Sequence, residues 1–398
     1  MSFIKKVLSS NITKLLFGIF FFIALVLVGN TTYAKTNNGG EDIVGTWQGI
    51  VDGNRGEGGL IYRLEFNPKG TVTIIKQFGK GQITEKKSWK RDEDKIIINS
   101  NINDNITELD NGTLRVIDEK TIGYENGFYK TEFKQHNSVL SVFHWFAALT
   151  GLMILNELFR RKKWAAIGFF FVLPIVMIPL WASNGVTYWF KWVKVYSAVA
   201  GSVWFTLVRF TKLGRKNAAK MVAALILSAN ITEAVIQDFS MGNLPNILNG
   251  IAGILSIATL FYGWKEIGPD DSKEKDMVWN KMSLFWIIAY DVWNWAFVYL
   301  NFPGSASLQF IVIMSCTIPA IFIKKGTWLQ ARAFTLAAWF MYYFTFPRFT
   351  ESVELLVPRK TSFMLAIAIL SITLNLIYTF ISIKRYTDSK KDTPEVSV

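Results

Sequence analysis

The stretch Val278–Phe302, VWNKMSLFWIIAYDVWNWAFVYLNF, is long enough to cross a bilayer as one helix, and it carries a carboxylate, Asp291, near its middle. A charge at that depth costs at least about 2.5–3.5 kcal/mol on insertion scales, so a chain that keeps one there needs a second helix or a cavity to compensate it. Asn294 follows three residues later and shares the same helix face. The rest of the chain is of the same kind. It has 398 residues, 51% hydrophobic and 15% aromatic, which points to a membrane protein rather than a soluble one.

Apolar segments of span length recur from Ser138 onward, and length and apolarity define about nine of them. They run near 139–159, 164–182, 188–210, 220–238, 246–264, 278–301, 307–323, 328–347 and 361–383. One set of links carries Arg160, Arg161, Lys162 and Lys163, then Lys212, Arg215, Lys216 and Lys220, then Lys265, Lys273 and Lys275, then Lys324 and Lys325. The alternate links 183–187, 239–245 and 302–306 carry no basic residue, and only 348–360 departs from the pattern. This is a positive-inside signal. It accounts for the net charge of +13 without a nucleic-acid partner. It also places the C-terminus in the cytoplasm.

Residues 1–34 read as a secretory signal or an uncleaved anchor, with a basic front at Lys5, Lys6 and Lys14 and an apolar core at Leu15–Val28. Either reading puts the next segment outside the cytoplasm. Residues 42–134 then alternate apolar and polar positions in short runs such as LIYRLEF and TVTIIKQF, separated by turn signals at Asn67–Gly70 and Asp110–Gly112. The pattern predicts a small antiparallel β-barrel outside the cytoplasm. Its Gly45-Thr46-Trp47 and Phe66–Val72 motifs resemble the lipocalin-like domains of bacterial secreted proteins. The resemblance implies that Trp47 packs at the closed end of the barrel. The glycine-crowded loop at 53–59 lies between strands and has no following helix to cradle a phosphate. The polytopic domain is expected over 138–386, ending in a polar tail at 387–398.

The candidate binding residues are the polar groups inside the spans. Asn230, Glu233 and Gln237 recur at helical spacing and make one stripe on the fourth span. Lys191 and Lys194 lie in the outer third of the third span, flanked by Trp189 and Trp192. Buried charges of opposite sign tend to meet. Lys191, Lys194, Glu233, Asp291, Asn230, Asn294 and Gln237 are therefore expected around one outward-facing pocket for a small solute or ion. Asp238 reads as a wetted helix end and Glu157 and Arg332 as groups near helix ends. His144, Trp286, Trp293 and Trp295 read as packing residues, and 266–277 as a solvated loop. Gly201, Gly250 and Gly253 would let helices approach closely.

One cysteine, Cys316, and two histidines, His136 and His144, argue against a disulfide or a metal centre, and no cofactor is expected. No Walker loop, zincin motif or nucleophile elbow occurs. The segments AYDVWNWAFVYLN, SCTIPAIFIKKGTWLQARA and ILSANITEAVIQD resemble a family of bacterial multi-pass membrane proteins that carries no known activity. The leading expectation is a bacterial cytoplasmic-membrane protein that binds, senses or moves a solute. The alternatives are a membrane enzyme acting on a lipid or lipid-linked substrate, with Asp291 or Glu233 as acid/base, and an assembly scaffold whose β domain docks a protein partner.

Overall fold

The computed structural model describes residues 43–391 apart from 52–59, 79–80, 100–108, 110–112, 119–120, 126–129, 137–138, 185–188, 262, 303–304, 356 and 358–360. The signal segment, the glycine-crowded loop, the link 185–187 and the end of the tail lie outside the described residues.

The alternating runs form eight strands: β1 Gly45–Val51, β2 Leu60–Asn67, β3 Thr71–Phe78, β4 Gly81–Asp92, β5 Lys95–Asn99, β6 Thr113–Asp118, β7 Thr121–Glu125 and β8 Lys130–His136. Each pairs antiparallel with the next, and β8 returns to β1, so the barrel is closed. Period two sends Trp47, Leu64 and Ile74 to the same side in register. They are buried there with Tyr62, Phe66 and Phe133. Trp47 is fully enclosed and its indole N–H donates to Ile43 O at 2.7 Å. The ring is structural, as the G-x-W motif implies.

Helices follow. They are α1 Val139–Arg161, the broken run α2 over 163–183, α3 Trp189–Phe210, α4 Asn217–Met241, α5 Leu244–Leu260, α6 Leu284–Asn301, α7 Ala306–Phe322, α8 Trp328–Thr345 and α9 Thr361–Lys391. Each predicted interval therefore holds a helix. Three are long and apolar enough to cross a membrane: Val139–Arg161, Asn217–Met241 and Ser362–Asp388. The others are shorter, broken, or interrupted by charge.

The organising helix is α6. Ser283 caps its start by accepting from Trp286 N at 3.1 Å. The predicted span began at 278, but Trp279 N turns back to Gly326 O at 2.8 Å, so the helix starts later. Nearly every residue of α6 is buried, because α5, α9, α7 and α4 pack around it. A helix that is apolar on all faces belongs in such a centre. Close approach is built in at Gly253, where a Cβ would come within 2.4 Å of Val235 and 2.9 Å of the Trp293 ring.

The barrel meets the helices at one end, where His136 Nδ1 lies 3.2 Å from Glu354 O. This is the barrel-side end. At the far end a two-stranded ribbon, β9 Gly268–Pro269 with β10 Met277–Val278, straps the links together.

Candidate functional site

Asp291 is sealed inside the bundle, in the first half of α6. Thr317 on α7 donates its hydroxyl to Asp291 Oδ2 at 2.8 Å and accepts the Trp328 indole N–H of α8 at 2.8 Å. That one threonine ties three helices together. Asp291 Oδ1 has no partner. Arg332 Nε and Nη1 and the Thr335 hydroxyl are likewise buried without a partner, and the Tyr290 hydroxyl has only the Arg332 guanidinium near it. Tyr290 is next to Asp291 on α6, and Arg332 and Thr335 lie one turn apart on α8. Arg332 interacts electrostatically with Tyr290, Asp291 and Cys316. The Trp286 and Trp328 rings wall the Tyr290 ring at 5.4 and 5.0 Å.

Each buried polar atom left unpartnered costs about 1–3 kcal/mol. Native folds rarely tolerate several in one place unless water or a ligand answers them. The centre thus offers one carboxylate oxygen, Asp291 Oδ1, and two guanidinium nitrogens of Arg332, with the Tyr290 phenol beside them, to an occupant. No group of three or more acidic, cysteine or histidine side chains fit to hold a metal occurs among the described residues.

The expected single pocket is not what the structure assembles. Lys194 Nζ does meet Glu233 Oε1, at 2.8 Å, but the two side chains are 36% and 46% exposed. The buried face of α4 is Leu227, Ile231, Ala234, Val235 and Asp238. Asn230 and Glu233 fall off that face and are exposed, and Gln237 is half-buried with its amide 3.9 Å from Met241 Sδ. Lys191 lies over the Tyr343 ring at 5.9 Å. Asn294 accepts from Gln309 of α7. Asp291 therefore answers to Arg332, not to a lysine. Arg332 is buried rather than placed at an open helix end. Its signal was an arginine inside an apolar span, WLQARAF, and such residues are functional candidates by default.

Two other acids overturn their expected surroundings. Asp238 is fully buried instead of wetted. Asn246 Nδ2 donates to its Oδ1 at 2.8 Å, Asn301 Nδ2 to the same oxygen at 2.6 Å, and Asn249 Nδ2 to Oδ2 at 2.7 Å. The cage continues inward, since Ser371 donates to Asn249 Oδ1 at 2.7 Å, and Ser256 on α5 meets Asn375 on α9 at 2.7 Å. The expected solvated loop buries Asp276. Arg160 Nη1 donates to its Oδ2 at 2.8 Å, Gln330 Nε2 to its Oδ1 at 3.2 Å, and Arg209 Nη2 lies 3.7 Å from Oδ1. The loop brings Glu274 O and Lys275 O to Arg209, which donates to them at 2.9 and 3.1 Å and to Phe159 O of α1 at 3.0 Å.

The predicted packing residues keep that role. His144 Nε2 lies 2.9 Å from the Tyr342 hydroxyl. The Trp293 indole donates to Asn249 O at 2.9 Å and that of Trp295 to Ala306 O at 2.9 Å. The Trp286 indole reaches Thr259 at 3.2 Å.

No curated protein and no solved structure matches the chain. One family does, over residues 135–397, which takes in every helix among the described residues and stops short of the barrel apart from the end of β8. Asp238, Asp276, Asp291 and Arg332 all fall inside that match, and the chain belongs to this family of unknown function, DUF5692.

Proposed function

We propose that the chain is a multi-pass membrane protein whose buried centre around Asp291 and Arg332 binds a small solute. The observation that carries this reading is the set of unpartnered polar atoms on α6 and α8. A guanidinium with two unpartnered nitrogens suits an oxyanion such as a carboxylate. Asp291 Oδ1 suits a donor on the same molecule. The occupant of best fit is a small compound carrying an anionic oxygen group and an N–H or O–H donor.

The membrane reading is supported by where the apolar surface lies. Val139 is 86% exposed, Trp164 77% and Phe380 70%, on helices at the outside of the bundle. Polar groups lie inside and large apolar ones outside, an arrangement that suits lipid. About nine spans is the reading of best fit, because helices shorter than a bilayer-spanning length of about 20 residues can cross when protein surrounds them. The link charges favour a bacterial cytoplasmic membrane with the barrel outside and the C-terminus inside.

The test is a thermal-shift panel of small carboxylates and zwitterions on the full chain in detergent. A compound that stabilises the wild type but neither Asp291→Asn nor Arg332→Gln supports the site. If every stabilising compound acts equally on both variants, the centre is not the binding site. Cysteines placed at 213 and 325, with Cys316 replaced, should react with an impermeant reagent only from the cytoplasmic side. Reaction from outside overturns the orientation.

A further inference from the structure

Asp291 and Arg332 carry opposite charges, and both side chains are buried. Each acts electrostatically on the other, yet no ion pair or hydrogen bond joins them among the described residues. Elsewhere in the molecule such groups close. Arg160 Nη1 meets Asp276 Oδ2 at 2.8 Å. Even the partly exposed Lys194 brings its Nζ to 2.8 Å from Glu233 Oε1. Two desolvated charges recover part of the hydration they have lost by meeting. At Asp291 they stop short, and the atoms left over face no partner: Oδ1 on the acid, Nε and Nη1 on the arginine.

The frame holds the two groups in place without joining them. Thr317 of α7 fixes Asp291 Oδ2 at 2.8 Å, and the Trp328 indole of α8 fixes Thr317 at 2.8 Å. Arg332 stands one turn along α8 from Trp328. The rings of Trp286, Tyr290 and Trp328 pack on one another with centroids 5.0–5.8 Å apart, which stiffens both helices at this level.

Charge balance then selects among occupants. Asp291 and Arg332 sum to zero. Tyr290 and Cys316, the other titratable groups beside Arg332, are uncharged at neutral pH in their ordinary forms. An occupant with a net charge would leave that charge uncompensated in a desolvated site, which is strongly disfavoured. A lone carboxylate answers Arg332 and leaves Asp291 Oδ1 bare. A lone amine does the reverse. A molecule with one charge of each sign answers both ends and adds no net charge.

We propose that the occupant is a small zwitterion of the amino-acid type, with its carboxylate on Arg332 and its ammonium on Asp291 Oδ1. The proposal rests on the reading of this centre as a solute site and narrows it to one charge type. A primary ammonium suits Oδ1 because it brings N–H donors together with its charge. A quaternary ammonium brings charge alone and would leave the oxygen without a hydrogen bond.

The experiment follows melting of the full chain in detergent against rising glycine, alanine and β-alanine. Acetate and propionate are the counterparts without the amine, and methylamine and ethylamine those without the carboxylate. A saturable rise with at least one zwitterion is expected. Its counterparts should need at least about tenfold more compound for the same rise, the scale of one lost hydrogen bond to a charged group. Asp291→Asn keeps only the arginine's charge, so its preference should pass to acetate or propionate. A wild type that responds to acetate or propionate as strongly as to the zwitterions overturns the proposal and leaves the centre standing as an anion site. A folded Asp291→Asn that still prefers the zwitterion also overturns it. If neither these compounds nor the wider panel moves the wild type, the solute reading falls with it, and water answers the unpartnered atoms.

Discussion

Asp276 and Asp291 are both sealed from solvent, and their surroundings differ in kind. Asp276 gives each oxygen at least one cationic or amide donor, and Arg209 beside it saturates itself on two loop carbonyls, Glu274 O and Lys275 O, and two carbonyls at the end of α1, Phe159 O and Arg160 O. Asp291 holds one hydroxyl, its Oδ1 is unanswered, and Arg332, which it faces, keeps two unpartnered nitrogens. The first arrangement is complete, so it can only clamp. It fastens the far-end strap to α1, α3 and α8. The second is incomplete without an occupant, so it can recognise something. Buried charge alone does not separate the two roles. The tally of unanswered donors and acceptors does.

The largest expected effect is at the clamp. Asp276→Asn leaves Arg160 and Arg209 buried without their carboxylate, and removing one member of a buried pair costs about 3–5 kcal/mol. Melting of the full chain in detergent checks this. A loss no larger than that of Asp291→Asn dissolves the distinction.

Asp291→Asn takes the countercharge from one buried arginine rather than two, and its amide oxygen still accepts from Thr317, so it is expected to cost about 3 kcal/mol, the low end of that range. Its signature is the abolished response to the stabilising solute. A loss as large as at Asp276 would make Asp291 a second clamp.

Lys194 and Glu233 sharpen the comparison from outside, being a real pair that is partly exposed. A double-mutant cycle with Lys194→Met and Glu233→Gln should give a coupling of about 0.2–1 kcal/mol. A coupling of several kcal/mol would show that the pair is shielded as deeply as Asp276.

How much of this was legible follows from the range of each signal. The barrel was legible because period two and the Asn67–Gly70 turn are local, and the eight strands follow the runs. The helices were legible for the same reason, although α6 starts late because Gly326, far along the chain, captures Trp279. The Lys194–Glu233 contact was legible because opposite charges at similar depth on consecutive helices have a short way to go. The Asp238 cage was not. Its donors lie 8, 11 and 63 residues away, and a carboxylate near a helix end looks wetted until those helices pack. Asp276 hides likewise in EIGPDDSKEKDM, whose charge suggests solvent, while Arg160 is 116 residues distant.

The smallest effect belongs to the strap that carries Asp276. Asp270 opens the loop, accepting from Ser272 N at 3.2 Å and Asp276 N at 3.0 Å, and pairs with Lys324 Nζ at 2.7 Å. Burial pushes the Asp270 carboxyl up, but Lys324 and Ser272 together outweigh it and hold it below the ordinary value. The hydrogen bond to Asp270 pushes the Lys324 ammonium up. The signs then follow from linkage. The carboxylate contributes stability above its unfolded value, about 3.9, and loses it as pH falls through the lower folded value. The ammonium contributes below its unfolded value, about 10.4, and loses it as pH rises through the higher folded value. Between the two the contribution is flat. Lys324→Met should remove it, flattening both flanks of melting temperature against pH relative to the wild type, while the solute response at Asp291 stays. If the variant keeps the wild-type acid flank, Lys324 is not what holds Asp270 ionised. The loop's own amides then order the strap, and the clamp at Asp276 does not depend on this outer pair.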